Sequence, residues 1–155
     1  MPDIEVNTHV DAPPSRVWEL IGDPTRMGEW SPECKRVDWA GRSTRPEVGA
    51  RFRGHNRNGW RRWSTTGTLV AYEPEREVAW DVSFGPLAVA RWGYRVEPDG
   101  SGCTVVESFE DKRGRIIKSA GSVARGVKTA DTETHNRRGM EETLAHIKAE
   151  AETAS

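Results

Sequence analysis

Cysteine is scarce. The 155 residues hold only two, Cys34 and Cys103, and they form no CxxC pair. That excludes a disulfide framework and a thiol-rich zinc site, and both read as reduced thiols of a cytoplasmic protein. Long apolar runs are missing as well. The longest are a few residues, far from the roughly 20 a membrane helix needs, so no stable membrane insertion is expected. The first residues, Met1-Pro2-Asp3-Ile4-Glu5, lack the basic-then-apolar order of a secretory signal. An excess of one charge is absent too: 23 Lys and Arg face 24 Asp and Glu, a formal net charge of -1. With no basic field to hold a phosphate backbone, nucleic acid is not an expected partner. The doublets Arg61-Arg62 and Arg137-Arg138 read as solvated surface. No HExxH or clustered carboxylate loop occurs, so no metal is expected. GxGxxG, the phosphate loop and the GxSxG elbow are also absent, which leaves nucleotide-dependent and esterase chemistry without support and no cofactor to propose.

What is present is aromatic and strand-like. Hydrophobic residues make up 35% and charged residues 30%, and there are 15 glycines, close to the globular norm. The length suits one domain, read as residues 1–150 with 151–155 as a tail. Arginine outnumbers lysine, as in a GC-rich, actinobacterial genome. Seven tryptophans stand out: Trp18, Trp30, Trp39, Trp60, Trp63, Trp80 and Trp92. Each supplies a large apolar face and one N–H donor, suited to a core or a pocket wall.

Periodicity sets the order of elements. Residues 3–10 alternate, with Ile4, Val6, Thr8 and Val10 on one face of a strand. Pro13-Pro14 opens a short helix carrying Val17, Trp18, Leu20 and Ile21, and Gly22 stops it. Asp23-Pro24 starts another turn or two as far as Trp30. Strands are predicted at 34–40, 49–57, 61–72, 77–84, 88–97 and 103–110, parted by Gly, Pro and Asp turns. Together with the first strand they imply an antiparallel meander. Helical spacing returns over 116–151, in Thr132, Asn136, Met140, Thr143, Leu144, Ile147 and Ala151. Gly121 and Gly126 predict a bend or frayed start, with a firm helix from about 130. Only one long helix is available to cover the sheet, so a space between them follows from the architecture.

The chain resembles the START-like, or Bet v 1-like, superfamily, in its bacterial polyketide cyclase/dehydrase and lipid-transport branch. The likeness is carried by Ala12 through Pro24, Met27-Gly28-Glu29-Trp30-Ser31-Pro32 and Val48 through Phe52. It continues in Trp92-Gly93-Tyr94, the Gly102–Val106 segment, and Asn136 through Lys148. The resemblance implies an α+β helix-grip fold: a curved seven-stranded antiparallel sheet around a long C-terminal helix, with two short helices between strands 1 and 2. It implies a pocket but no single reaction, since one fold hosts carriers, receptors and cyclases.

Candidate site residues follow from the inward faces. Phe52, Trp63, Trp80, Phe84, Trp92 and Phe109 lie on different strands and would line the cavity with Met140, Leu144 and Ile147. The alternative is that they fill the core. By resemblance Trp30 sits near the mouth. Asn136 and Thr143 face the sheet and would bond a polar ligand or each other. Glu107 shares a face with Cys103, Val105 and Phe109. Inward, burial would raise its pKa and make it an acid, a base or an anchor; otherwise it pairs with a strand neighbour such as Arg91 or Arg95, or a slip of register puts it in solvent. His135 reaches the rim as a second candidate base, whereas His55 opposes Phe52 in parity and faces out. The faces of 49–57 and 61–72 stay open, because a slip of one residue inverts them.

Three functions remain. The first is binding or transport of a small hydrophobic molecule, such as a polyketide, a lipid or an isoprenoid, by a monomer or homodimer that is not an enzyme. The second is a cyclase or dehydratase of the aromatase type using Glu107 or His135. The third is a protein-interaction module with a vestigial cavity.

Overall fold

A computed structural model describes the backbone of residues 2–32, 34–112 and 115–153; side chains are described except those of Phe84 and of 115–132. The strand β1 (Ile4–Val10) is followed by the helix α1 (Pro14–Ile21) and a 3-10 turn (Pro24–Glu29). Six strands come next: β2 (Cys34–Trp39), β3 (Arg51–Asn58), β4 (Arg61–Glu73), β5 (Glu77–Phe84), β6 (Leu87–Asp99) and β7 (Gly102–Asp111). The helix α2 (Arg115–Thr153) closes the chain. This is the expected helix-grip fold, with element bounds within three residues of the sequence reading. The bend expected at Gly121 and Gly126 lies outside the described side chains.

Local chemistry explains the boundaries. Pro14 occupies the first turn of α1, where its missing N–H costs nothing. The Asp23 carboxylate caps the next turn, accepting from the Thr25 amide at 2.9 Å and the Thr25 hydroxyl at 2.6 Å. Gly59 and Gly100 open the β3–β4 and β6–β7 connections at φ of 64° and 65°, a left-handed conformation that side chains disfavour.

All strand pairs are antiparallel, in the order β1-β7-β6-β5-β4-β3-β2. Strands β2 to β7 form a meander and β1 returns to pair with β7. Bulges interrupt the pairing near Leu69–Ala71 and Val82–Ser83. They bend their strands and strengthen the local twist.

The core lies between β1, α1 and the second half of α2. Val10, Val17, Leu20 and Ile147 are fully enclosed there. On α2 the buried positions Met140, Thr143, Leu144, Ile147 and Ala151 recur every three or four residues. Polar tethers fix this half of the helix. The Lys148 ammonium donates to the His9 carbonyl at 2.6 Å, and the Asp11 amide donates to the Glu152 carboxylate at 2.8 Å. Ala151 is buried and α2 runs to Thr153, so packing extends into the stretch read from sequence as a tail.

At the β7–β1 pairing a side chain on Gly102 would run into the Val10 carbonyl, which is backbone and cannot swing aside. Gly102→Ala is therefore expected to destabilise the protein by about 1–3 kcal/mol in urea unfolding. An unchanged midpoint would refute the close approach.

Candidate functional site

Alternation along the strands aims one set of side chains at α2. On β3 the inward residues are Phe52, Gly54 and Asn56, and on β4 they are Trp63, Thr65 and Gly67. Register makes them partners: Phe52 faces Gly67, Gly54 faces Thr65, and Asn56 faces Trp63. The ring of Phe52 lies where a side chain on Gly67 would be. That settles the faces of both strands. His55 falls on the other face, 3.2 Å from the Asp38 carboxylate.

These residues, with Trp80 and Val82 of β5, Trp92 and Tyr94 of β6 and Glu107 of β7, wall a cavity of about 230 Å³. A single water needs about 10–15 Å³ on a comparable measure, so the space is far larger than a packing defect. Met27, Ser31, Pro32, Cys34 and Val37 close one side, and His135, Asn136, Gly139, Met140 and Thr143 of α2 close the other. The Thr143 hydroxyl donates to the Gly139 carbonyl at 2.8 Å, back along its own helix. His135 and Gly139 also border an outer cleft that continues to Arg57, Arg138 and Glu142, which puts them at the mouth.

The aromatic rings form a connected series. Trp39 meets Phe52 edge-on at 6.4 Å between ring centroids, Phe52 meets Trp80 at 6.0 Å, and Trp80 meets Tyr94 at 5.9 Å. These spacings are those of favourable aromatic pairs. The series leads to a carboxyl group. The Tyr94 hydroxyl donates to Oε1 of Glu107 at 2.9 Å. Glu107 is 3% exposed, and its Oε2 has no partner among the described residues. The alternative pairing with an arginine does not form. Arg91 makes a two-pronged bond to Asp81 at 2.6 and 3.1 Å, and Arg95 donates to Glu97 at 3.2 Å.

Burial sets the protonation. Removal from water pushes the Glu107 carboxyl up to about 8, against a smaller opposing effect of the Tyr94 hydroxyl bond. Near neutral pH it is mostly the neutral acid. The Tyr94 hydroxyl is pushed well above its usual value by burial and by the adjacent carboxylate. Burial also pushes the Cys34 thiol up to about 11, so it is an inert lining group and not a nucleophile. No group of three or more His, Cys, Asp or Glu gathers as metal donors among the described residues.

The sequence-derived candidates divide in two. Phe52, Trp63, Trp80, Trp92, Glu107, His135, Asn136, Met140 and Thr143 line the one cavity. Trp30, Phe109, Leu144 and Ile147 do not. Trp30 is a core residue, 5% exposed, whose carbonyl accepts from His146 Nδ1 at 3.0 Å. Phe109 packs on the ring of Trp92 at 4.7 Å, and it is Trp92 that lines the space. Leu144 and Ile147 are buried where α2 meets β1, beyond the cavity. The Phe84 side chain lies outside the described residues. Tyr94 was absent from the candidate set, although the hairpin contained the signal. Counting back from Asp99 and forward from Gly102 by equal steps pairs Tyr94 with Glu107. The exposed large hydrophobics, Val48, Trp60 and Leu87, sit apart in sequence outside the cavity wall and in no common element.

Comparison with known proteins agrees with this architecture. The family model described as polyketide cyclase / dehydrase and lipid transport matches residues 1–152. A polyketide-cyclase-like protein from Corynebacterium glutamicum, solved by solution NMR, is 31% identical. The match covers 94% of this chain and 88% of that one, with a TM-score of 0.67. The di-domain ARO/CYC StfQ from the steffimycin biosynthetic pathway shares the fold at 14% identity. That match covers 97% of this chain and 50% of StfQ, with a TM-score of 0.72. The Aha1 dimer from Colwellia psychrerythraea is similar in fold at 14% identity, with coverage of 98% and 97% and a TM-score of 0.65. No curated protein matches.

The Glu107 carboxyl has a direct thermodynamic consequence. Its pKa is higher folded than unfolded, so the folded state holds the proton more tightly. Stability contributed by the neutral acid is complete below about 4.5 and is lost as pH rises towards about 8. The loss approaches 1.4 kcal/mol per pH unit in that window. Urea unfolding at pH 5, 7 and 9 is expected to show the wild type falling progressively below Glu107→Gln. Parallel curves for the two proteins would mean the carboxyl is solvated.

Proposed function

Since the chain belongs to the polyketide cyclase/dehydrase and lipid-transport family, we propose that it binds and carries a small hydrophobic molecule between the sheet and α2. A polyketide, a lipid or an isoprenoid-like compound is the class of ligand intended. The observation that carries this reading is the aromatic wall of the cavity, made by Phe52, Trp63, Trp80 and Trp92 from four different strands. Each 100 Å² of ligand carbon taken from water there contributes about 2.5 kcal/mol. Glu107 at the floor, with Asn136 and Thr143 on the helix side, orients the polar end of the ligand. The protein works as a monomer or homodimer in the cytoplasm, a compartment that suits its two free, buried thiols.

One observation favours a second reading, a cyclase or dehydratase of the aromatase type. The neutral Glu107 acid and the His135 imidazole border the same space. An acid that protonates a carbonyl oxygen and a base that removes the neighbouring carbon-bound proton are what ring closure by aldol addition requires. The cavity would add positioning of a folded chain.

Native mass spectrometry of the purified protein, followed by extraction under denaturing conditions, tests the binding reading. A small hydrophobic molecule that leaves on unfolding is the expected result, with a raised melting temperature when it is added back. Trp63→Ala and Trp80→Ala are expected to weaken binding tenfold or more. Trp63 is the cleaner probe, because a half-buried ring is cheaper to remove than the buried Trp80. Full affinity in both folded variants would overturn the pocket assignment. The enzyme reading separates by Glu107→Gln, which keeps binding and abolishes turnover of a poly-β-ketone chain only if Glu107 is the acid.

A further inference from the structure

Among the described residues Glu107 is the one carboxyl that lines the cavity. Glu107 is 3% exposed, faces the cavity, and has Oε1 taken by the Tyr94 hydroxyl and Oε2 without a partner among the described residues. A buried carboxyl oxygen in that state calls for a hydrogen-bond partner. Aromatic residues lead away from it into the cavity wall: Tyr94 bonded to it, Trp80 next to Tyr94 at 5.9 Å, and Trp92 opposite Trp80 in the β5–β6 register. Aromatic faces attract cations, most strongly when water is excluded. Among the described residues no lysine or arginine lines the cavity. The arginines nearest in register, Arg91 and Arg95, are bound to Asp81 and Glu97.

From these three facts we infer that the cavity selects a ligand whose apolar body ends in a protonated amine, seated on Glu107 Oε2 and flanked by the rings of Tyr94, Trp80 and Trp92. This rests on the binding reading and narrows it. A ligand ending in a carboxylate is disfavoured. With Glu107 as the neutral acid it finds no described cation to receive its charge, and with Glu107 ionised it adds a second negative charge. A ligand ending in a hydroxyl satisfies Oε2 but gains nothing from the rings. The ammonium gains from both: as it arrives the Glu107 proton leaves to solvent, and carboxylate and ammonium form a charge-assisted hydrogen bond beside the rings.

The experiment compares three naphthalenes that share one apolar body: 2-naphthylmethylamine, 2-naphthylmethanol and 2-naphthoate. Their dissociation constants are measured by titration calorimetry at pH 7 on the wild type and on Glu107→Gln. The amine is expected to bind at least tenfold more tightly than the alcohol, and 2-naphthoate most weakly. Glu107→Gln is nearly isosteric and puts a neutral amide where a mostly neutral acid stood, so it folds. It is expected to bring the amine down to the affinity of the alcohol while changing the alcohol less than threefold. Binding of 2-naphthoate as tight as the amine overturns the inference, as does an amine preference that survives in Glu107→Gln. Alcohol binding without any amine preference overturns this inference alone. Failure of all three probes overturns the cavity reading and this one with it.

Discussion

A seven-stranded sheet is wider than the helix that has to cover it. Strands lie about 4.8 Å apart, which makes the sheet roughly 29 Å across, whereas a helix with its side chains is about 10 Å wide. The mismatch has to be resolved somewhere. Here α2 packs closely at one side, against β1, β7 and α1. Leu144, Ile147 and Ala151 of its buried stripe lie outside the cavity lining, whereas Met140 and Thr143 reach the cavity. Among the described residues, the ring-bearing inner faces of β3, β4, β5 and β6 meet α2 across a space, and that space is the cavity.

Tight packing on one side and open space on the other have different chemical consequences. Under the second half of α2 the residues are aliphatic and fully enclosed, and polar tethers such as Lys148 to His9 hold the helix in place. Over the open side, rings contact one another in series and fill part of the gap with stiff, flat groups. Glycines make room among them, as at Gly67 beneath Phe52. The same low-dielectric space that suits apolar matter raises the Glu107 carboxyl to about 8, and one of its oxygens has no partner among the described residues. Burying a polar group in this state costs stability, and such costs are tolerated at functional sites more often than elsewhere.

Similarity to other proteins reaches different depths along this line. The family match and the 31% identical Corynebacterium glutamicum structure cover nearly all of the chain. The more distant structures share the fold over the same length with about one residue in seven identical. A shared sheet and helix guarantee the width mismatch, and with it a space. They do not guarantee what lines it, which is decided side chain by side chain.

The sequence by itself determined the elements and their order. Alternation in 77–84 and 103–110, the change to helical spacing after Gly114, and turns built on Gly, Pro and Asp are local signals, and local signals are readable from neighbours in the chain. It also determined which residue types would be inside: the tryptophans, and a glutamate on an apolar face. Tertiary structure alone decided which inward residues face empty space and which are packed. Trp63 and Trp30 are alike in sequence terms, yet one lines the cavity and the other is closed in the core beneath α2. Leu144 and Met140 are one turn apart on a single stripe, and only Met140 reaches the space. Tertiary structure decided the faces of β3 and β4 as well, since their patterns permit either register and only pairing with β2 and β5 fixes one. The reason is common to all three cases. Burial follows from a residue's own polarity and period, but a void is defined by what the opposite element fails to fill, and that depends on residues far apart in the chain.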